Sequence, residues 1–497
     1  MFSWKKAAIV SGLAFVFSCQ TFSPMSDDQN RKVAQEQEGQ NQEVKYFDRL
    51  QDYTPYKYEV LFTDPECGVY TYTQEVLSVS GKKLTQKPAN VYCKNKYDLR
   101  RSGDRPQSPQ YRVVEWINQP DVKEIFFTYL SFRNKTVKNA LCEAAKKGVK
   151  IRFVMSSTED TTIAQELVAC SPENVEMKTR GMEGDLGYAH NKFFIINPNS
   201  KSEFKVVFSS GNMTSGPVIH HENWNFITTN ANSQFAQAHI CAMNAEWDEV
   251  AGRSRDEYIK SIKNCRAGIK APEEKDIKVF FVPGEGEPEF GSKKKTAVDF
   301  LLNGDSEAGT PGINNSKRIW LACHRFFYSK MISALSKRMN SANPKFRPDM
   351  RIVCDDDTYY KAVDETYAIG DTMPQEYFNM QKLEAKGAQL KFMESNGEEH
   401  QLHHSKYLIF ADRNTSATSA EDFKAVFTGS ANLTGAGFNK NWENSYYITI
   451  PQVVYDFATH YVYTWDKLAT AIPDLPQQGV VSEFLIDQPI INKTENK

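Results

Sequence analysis

The sequence predicts an α/β protein of two pseudo-symmetric repeats, each a mixed, largely parallel β-sheet flanked by helices. Three observations predict it. The chain has 497 residues, more than one ordinary domain holds. Short β-rich runs alternate with segments of helical period. The order of these runs recurs in the second half of the chain, the mark of an internal repeat. Hydrophobic residues at 40% and charged residues at 25% are the balance of a globular protein and exclude a disordered chain. Sixty Lys and Arg nearly cancel 62 Asp and Glu, so no global positive field draws the chain to nucleic acid.

In chain order, the start is distinct. Lys5 and Lys6 precede an apolar run from Ala7 to Phe17 that ends at Ser18-Cys19, the layout of a secretory signal over 1–18. Val16-Phe17-Ser18-Cys19 resembles a bacterial lipobox, which implies acylation of Cys19 and attachment to a membrane. The expected destination is the periplasm, the outer membrane or the exterior. Residues 19–47, polar and rich in Gln and Glu, read as a flexible tether. The two repeats are expected over 48–270 and 271–497. Eight further cysteines, Cys67, Cys93, Cys142, Cys170, Cys241, Cys265, Cys323 and Cys354, suit a disulfide set in an oxidising compartment. Pairing between sequence neighbours is the simplest arrangement.

Each repeat opens on a strand, Val60 to Thr63 and Val279 to Val282, stopped by proline-containing turns. Lys123 to Phe127 matches Lys317 to Leu321 as a second strand. Helical period follows at Val137, Leu141, Ala144 and Ala145, and again at Met331, Ile332, Leu335 and Met339. Ile151 to Met155 returns as Met350 to Cys354. The closest match comes last. The first copy carries His190 and Lys192 before an apolar run, then Ser210-Gly211-Asn212, then Glu222-Asn223. The second carries His404 and Lys406, then Ser430-Ala431-Asn432, then Glu443-Asn444. A lone His-x-Lys is uninformative; two in the same order with the same followers are not.

On an extended strand His190 and Lys192 point to one face, so each copy sets an imidazole beside an ammonium, with an asparagine amide and a serine hydroxyl arriving from the next strand. If the repeats face each other, two imidazoles can divide nucleophilic and acid-base work. Lys192, Lys406, Asn212, Asn432, Ser210 and Ser430 would hold a phosphoryl group. The lysines carry the charge, so the pattern calls for no metal and no cofactor.

The paired motif resembles that of the phospholipase D superfamily, over roughly Tyr58 to Trp465. The resemblance implies a phosphohistidine intermediate, with His190 as nucleophile and His404 as general acid and then base. It also implies that Glu222 and Glu443 orient the histidines, each across the interface. The family's aspartate, five after the lysine, is here Asn197 or Ala411, and the first Gly-Ser is Ser209-Ser210. The loss of the aspartate is expected to alter strand-end support and leave the chemistry in place.

The expected substrate is a phospholipid, cleaved to phosphatidic acid and a head-group alcohol by a monomer. Two alternatives are a metal-independent endonuclease using Arg100, Arg101, Arg105 and Arg112, and an inactive surface-tethered binding or effector module. A metal site drawn from His400, His403, His404, His220, His221 and Glu222 would give His404 two jobs. Lys293 to Lys295 read as a solvated loop. Trp224, Trp320 and Trp442 read as core or pocket wall. Gly181, Gly184 and Gly187, and the matching segment Ser395 to Gln401, suggest mobile loops at the mouth.

Overall fold

The computed structural model describes residues 45–47, 56–64, 71–77, 81, 83–86, 108–182, 187–250, 254–288, 294–358, 373–393, 402–412, 420–469 and 485–486. The signal segment, residues 19–44 of the expected tether with Cys19, and Cys67, Cys93, Arg100, Arg101, Arg105, Gly184, Lys293 and 395–401 with His400 lie outside them. The last three residues expected in the tether, Lys45–Phe47, are instead a strand paired with Tyr56–Tyr58.

Strands in the first part of the chain are β1 Lys45–Phe47, β2 Tyr56–Thr63, β3 Thr71–Leu77, β4 Lys83–Gln86, β5 Glu124–Tyr129, β6 Lys150–Ser156, β7 Val175–Arg180, β8 Lys192–Ile196, β9 Glu203–Ser209 and β10 Glu222–Asn230. Helices α1 Pro109–Ile117, α2 Lys135–Lys146, α3 Thr162–Cys170, α4 Gln234–Glu249 and α5 Arg255–Ala267 accompany them. The second part holds β11 Ile277–Val282, β12 Arg318–Cys323, β13 Asp349–Asp355, β14 Gln389–Met393, β15 Tyr407–Ala411, β16 Phe423–Gly429 and β17 Glu443–Ile448. Its helices are α6 Ala297–Asn303, α7 Ser329–Met339, α8 Met373–Glu384 and α9 Pro451–Tyr463.

The sheet orders are β1-β2-β10-β9-β8-β5-β6-β7 and β11-β17-β16-β15-β12-β13-β14. Without β1 they are the same seven-strand sheet built twice. Both are mixed, and one detail of the expectation needs correcting. In each sheet five of the seven strands run one way, yet only the β5-β6-β7 and β12-β13-β14 ladders are parallel. Each of those ladders is joined through a helix. The neighbouring pairs β8/β9 and β15/β16 are antiparallel. A last strand, β18 Leu485–Ile486, pairs with β3, so the C-terminal segment crosses the expected boundary at 270/271.

Strand periodicity sorts the core into three layers. Along β8, Phe193 and Ile195 enter a central cluster shared by both repeats, while Phe194 and Ile196 enter an outer cluster with Val137 and Leu141 of α2. Along β15, Tyr407 and Ile409 join the central cluster; Leu408 and Phe410 join the other outer one, with Met331, Leu335 and Met339 of α7. From Phe193 in β8 and throughout β15 the residues are apolar because both faces are buried. Each fully buried ring or branched chain contributes about 1.5–3 kcal/mol. The central layer also takes Phe235 and Ala238 of α4 and Phe457 and Tyr461 of α9, so the repeats share one core.

Among the described residues two neighbour disulfides are formed, Cys142–Cys170 between α2 and α3 and Cys241–Cys265 between α4 and α5. Cys323 and Cys354 face each other on β12 and β13 with their sulfurs 2.6 Å apart, and both are unbonded thiols. No helix among the described residues is long and apolar enough to cross a membrane.

Candidate active site

The site forms where the two sheets exchange backbone hydrogen bonds. Ala189 makes a parallel bridge with Trp442, and His221 makes one with His403. His190 N–H donates to Trp442 O at 3.1 Å, and His404 N–H donates to His221 O at 2.8 Å. The residue after each bridge is then set opposite the residue after its partner. That brings His190 against Glu443 and His404 against Glu222. The repeat thus builds these His–Glu contacts crosswise.

His190 Nδ1 lies 2.8 Å from Glu443 Oε2. His404 Nδ1 lies 3.3 Å from Glu222 Oε1, as an ion-pair contact without hydrogen-bond alignment. Both carboxylates are fully buried. Burial pushes the His190 imidazole down to about 4; Glu443 opposes this, and Lys192 and Lys406 add to it. Burial and Lys406 likewise hold His404 well below its ordinary value. Lys406 acts on His190 and Lys192 acts on His404, so the two halves share one field.

Lys192 Nζ donates to His190 O, and Lys406 Nζ to His404 O, both at 2.8 Å. Lys406 also reaches Ser210 O of the other repeat at 3.2 Å. Burial lowers Lys192 to about 8, and burial together with Lys192 lowers Lys406 well below the usual amine range. Asn191, between His190 and Lys192, donates to Glu246 of α4, as strand alternation requires. The amide oxygens of Asn212 and Asn432 are buried without a hydrogen-bond partner.

The carboxylates are held differently. Glu443 accepts from Ser430 Oγ at 2.5 Å and from Asn441 Nδ2 at 3.2 Å. Glu222 accepts from Trp224 Nε1 at 2.9 Å through Oε2, and its Oε1 lies 3.1 Å from His220 Nδ1. Ser210 instead accepts from Asn223 N–H at 3.0 Å. Gly211 is required beside Glu222, since a Cβ there would sit 1.9 Å from its Oε2. At the matching position of the second repeat Ala431 is accommodated.

The departures from the family pattern are absorbed locally. Asn197 adopts φ 51° and closes the end of β8, accepting from Lys123 N–H and Glu124 N–H and donating to Asp121 O. Ser209 replaces Gly429, whose φ is 147°, and donates to Gly211 O. Arg112 is neutralised by Glu59 and Glu115. Lys294 pairs with Glu285, and Lys295 with Asp305 and Glu307. Trp224, Trp320 and Trp442 are fully buried, as core.

Sequence reasoning missed two kinds of residue. Asn444 Oδ1 accepts from Lys192 N–H at 2.8 Å, and Asn223 Nδ2 donates to Thr428 Oγ1 at 3.1 Å, which in turn donates to Lys406 O. The repeated Glu-Asn pair carried that signal. His324, after β12, lies 5.2 Å from the His404 ring, centroid to centroid, and both its ring nitrogens are buried without a hydrogen-bond partner. Its counterpart in the first repeat is Leu130, so comparing repeats gives no signal.

Folded this way, the chain is a phosphodiesterase scaffold of the phospholipase D superfamily. It belongs to the phospholipase D-like family: the model described as "Cardiolipin synthase, PLD-like domain" matches residues 113–247 and 312–465, one stretch in each repeat. Among solved structures, it is similar to phosphatidylserine synthase of Haemophilus influenzae Rd KW20, at 11% identity, TM-score 0.48, covering 74% of this chain and 86% of that one. It is similar to yeast tyrosyl-DNA phosphodiesterase at 11% identity, TM-score 0.43, covering 68% and 86%. The polyphosphate kinase of Porphyromonas gingivalis aligns at 13% identity, TM-score 0.43, over 72% of this chain and only 45% of its own length. No curated protein matches the chain.

Proposed function

We infer that the protein hydrolyses a phospholipid phosphodiester through a phosphohistidine on His190. The observation that carries this reading is the crosswise pairing of two buried imidazoles with Glu443 and Glu222, between two buried lysines. In the neutral imidazole, Nδ1–H donates to Glu443, which leaves the Nε2 lone pair to attack phosphorus. The N–P bond forms as the P–O bond to the head-group alcohol breaks, and His404, protonated once the anionic phosphodiester lies beside it, gives that oxygen its proton. His404 then takes a proton from water, whose oxygen displaces His190 and releases phosphatidic acid. Lys192 and Lys406 offset the charge on the non-bridging oxygens.

A lipid substrate is supported by the surroundings of the mouth. Tyr188, two positions before His190, presents an aromatic ring that is 41% exposed. Of the four arginines expected to form a nucleic-acid track, the described one, Arg112, is paired with Glu59 and Glu115. In this reading the exported monomer is anchored through Cys19. Labelled phosphatidylcholine and plasmid DNA, offered in parallel with a chelator present, test it. Release of choline is expected; cleavage of DNA alone would overturn the lipid reading.

A further inference from the structure

We propose that His220, Glu222 and His404 form an inhibitory site for a zinc-class divalent cation. The three side chains each present a ligand atom, and these atoms lie within 4.8 Å of one another. Glu222 Oε2 is taken by Trp224, which leaves Oε1 facing both imidazoles, 3.1 Å from His220 Nδ1 and 3.3 Å from His404 Nδ1. Ligands at about 2.0 Å from a tetrahedral zinc ion are separated by about 3.3 Å. The His404 contact has this separation without hydrogen-bond alignment, and its Nδ1 is buried with no hydrogen-bond partner. Two ligands of one ion need the separation and no proton between them. Three protein ligands with a fourth position open is a familiar zinc arrangement.

The ion would oppose catalysis; this part rests on the role inferred for His404. An imidazole bound to metal through Nδ1 carries one proton on Nε2 and cannot take a second. It can therefore no longer alternate between donating to the alcohol and accepting from water. Glu222 is occupied by the same ion. The site draws on both repeats, so the metal would also tie them together. His220 has no catalytic role in the scheme above.

The test titrates ZnCl2 into the chelator-treated full-length protein by calorimetry, alongside rate measurements on each protein. One zinc per chain is expected, with affinity weakened about tenfold or more in His220→Asn. Zinc should slow the wild type with an inhibition constant equal to its dissociation constant, and chelator should restore the rate. Each variant is compared with its own metal-free rate. If His220→Asn melts early, Glu222→Gln, which keeps the side-chain shape, tests the same ligand set. Absence of binding, binding unaffected by both variants, or zinc-dependent activation overturns the proposal. If zinc binds through His220 while neither lipid nor DNA is cleaved, the site stands and the inferred hydrolysis fails. If substrate is cleaved and zinc neither binds nor slows it, the reverse holds.

Discussion

The two halves of the site are copies in sequence and unequal in structure. His190 meets Glu443 at hydrogen-bond distance, and Glu443 is fixed by Ser430 and Asn441. His404 meets Glu222 at 3.3 Å without alignment, and Glu222 is shared with His220 and Trp224. A nucleophile gains from a fixed tautomer and a fixed line of attack. A group that first donates a proton and later removes one gains from latitude. The inequality therefore supports His190 as nucleophile and His404 as acid and base.

The histidines give the sharpest break. His190→Ala should lower turnover on the order of 10⁴-fold or more and leave no phosphoryl-enzyme. His404→Ala should be similarly slow on a natural head group, yet accumulate phosphohistidine, trapped by an alkaline denaturing quench, from a substrate with a good leaving group, because no proton donor is then needed. Label on His404 in the His190 variant would exchange the two roles.

The carboxylates should show a smaller, graded contrast. Glu443→Gln should cost on the order of 10³–10⁴-fold in kcat, as loss of a tautomer-fixing carboxylate does; Glu222→Gln should cost less, because its alignment is already loose. Equal losses in steady-state kinetics would remove the structural ground for assigning roles. Among the serines, Ser430→Ala loses a hydrogen bond to a buried charge, about 1.5–3 kcal/mol, and should lower kcat about 10- to 100-fold. Ser210→Ala, whose hydroxyl meets only backbone, should change it less than about tenfold.

The smallest effect is on stability against pH. His190 is lowered to about 4 and His239 to about 3, and His324, His403 and His404 are lowered well below their ordinary value, burial being the first cause in each. The unfolded chain binds these protons near pH 6.5 and the folded chain does not. Stability rises with pH wherever the unfolded state holds more protons, so it should be full above about 6.5 and lost as pH falls toward 4. Melting followed by circular dichroism from pH 7.5 to 4.5 should show a falling Tm with proton uptake on unfolding. A flat profile would mean that these imidazoles are charged in the fold.

Much of this was legible because β8 and β15 are apolar on both faces and are preceded by the same His-x-Lys. That pattern implied doubly covered sheets and a duplicated site. Ladder direction was less legible, since apolar runs of this length suit either pairing. Nor could the sequence distinguish a glutamate held by serine from one held by tryptophan. Ser210 and Ser430 occupy matching positions, and the differences that flank each glutamate, Trp224 against Ser445 and His220 against Asn441, have no evident bearing on the serines until the side chains are placed. His324 stayed hidden because its chemistry has no copy.

The crosswise bridges also constrain how the molecule comes to be active. His190 and Glu443 are 253 residues apart in the chain, and such contacts close late, after the loop entropy between them has been overcome. Each sheet can be complete while its histidine still lacks a carboxylate. The assembled site therefore belongs to the last docking event of folding, and a half-made chain carries the motif without its partners.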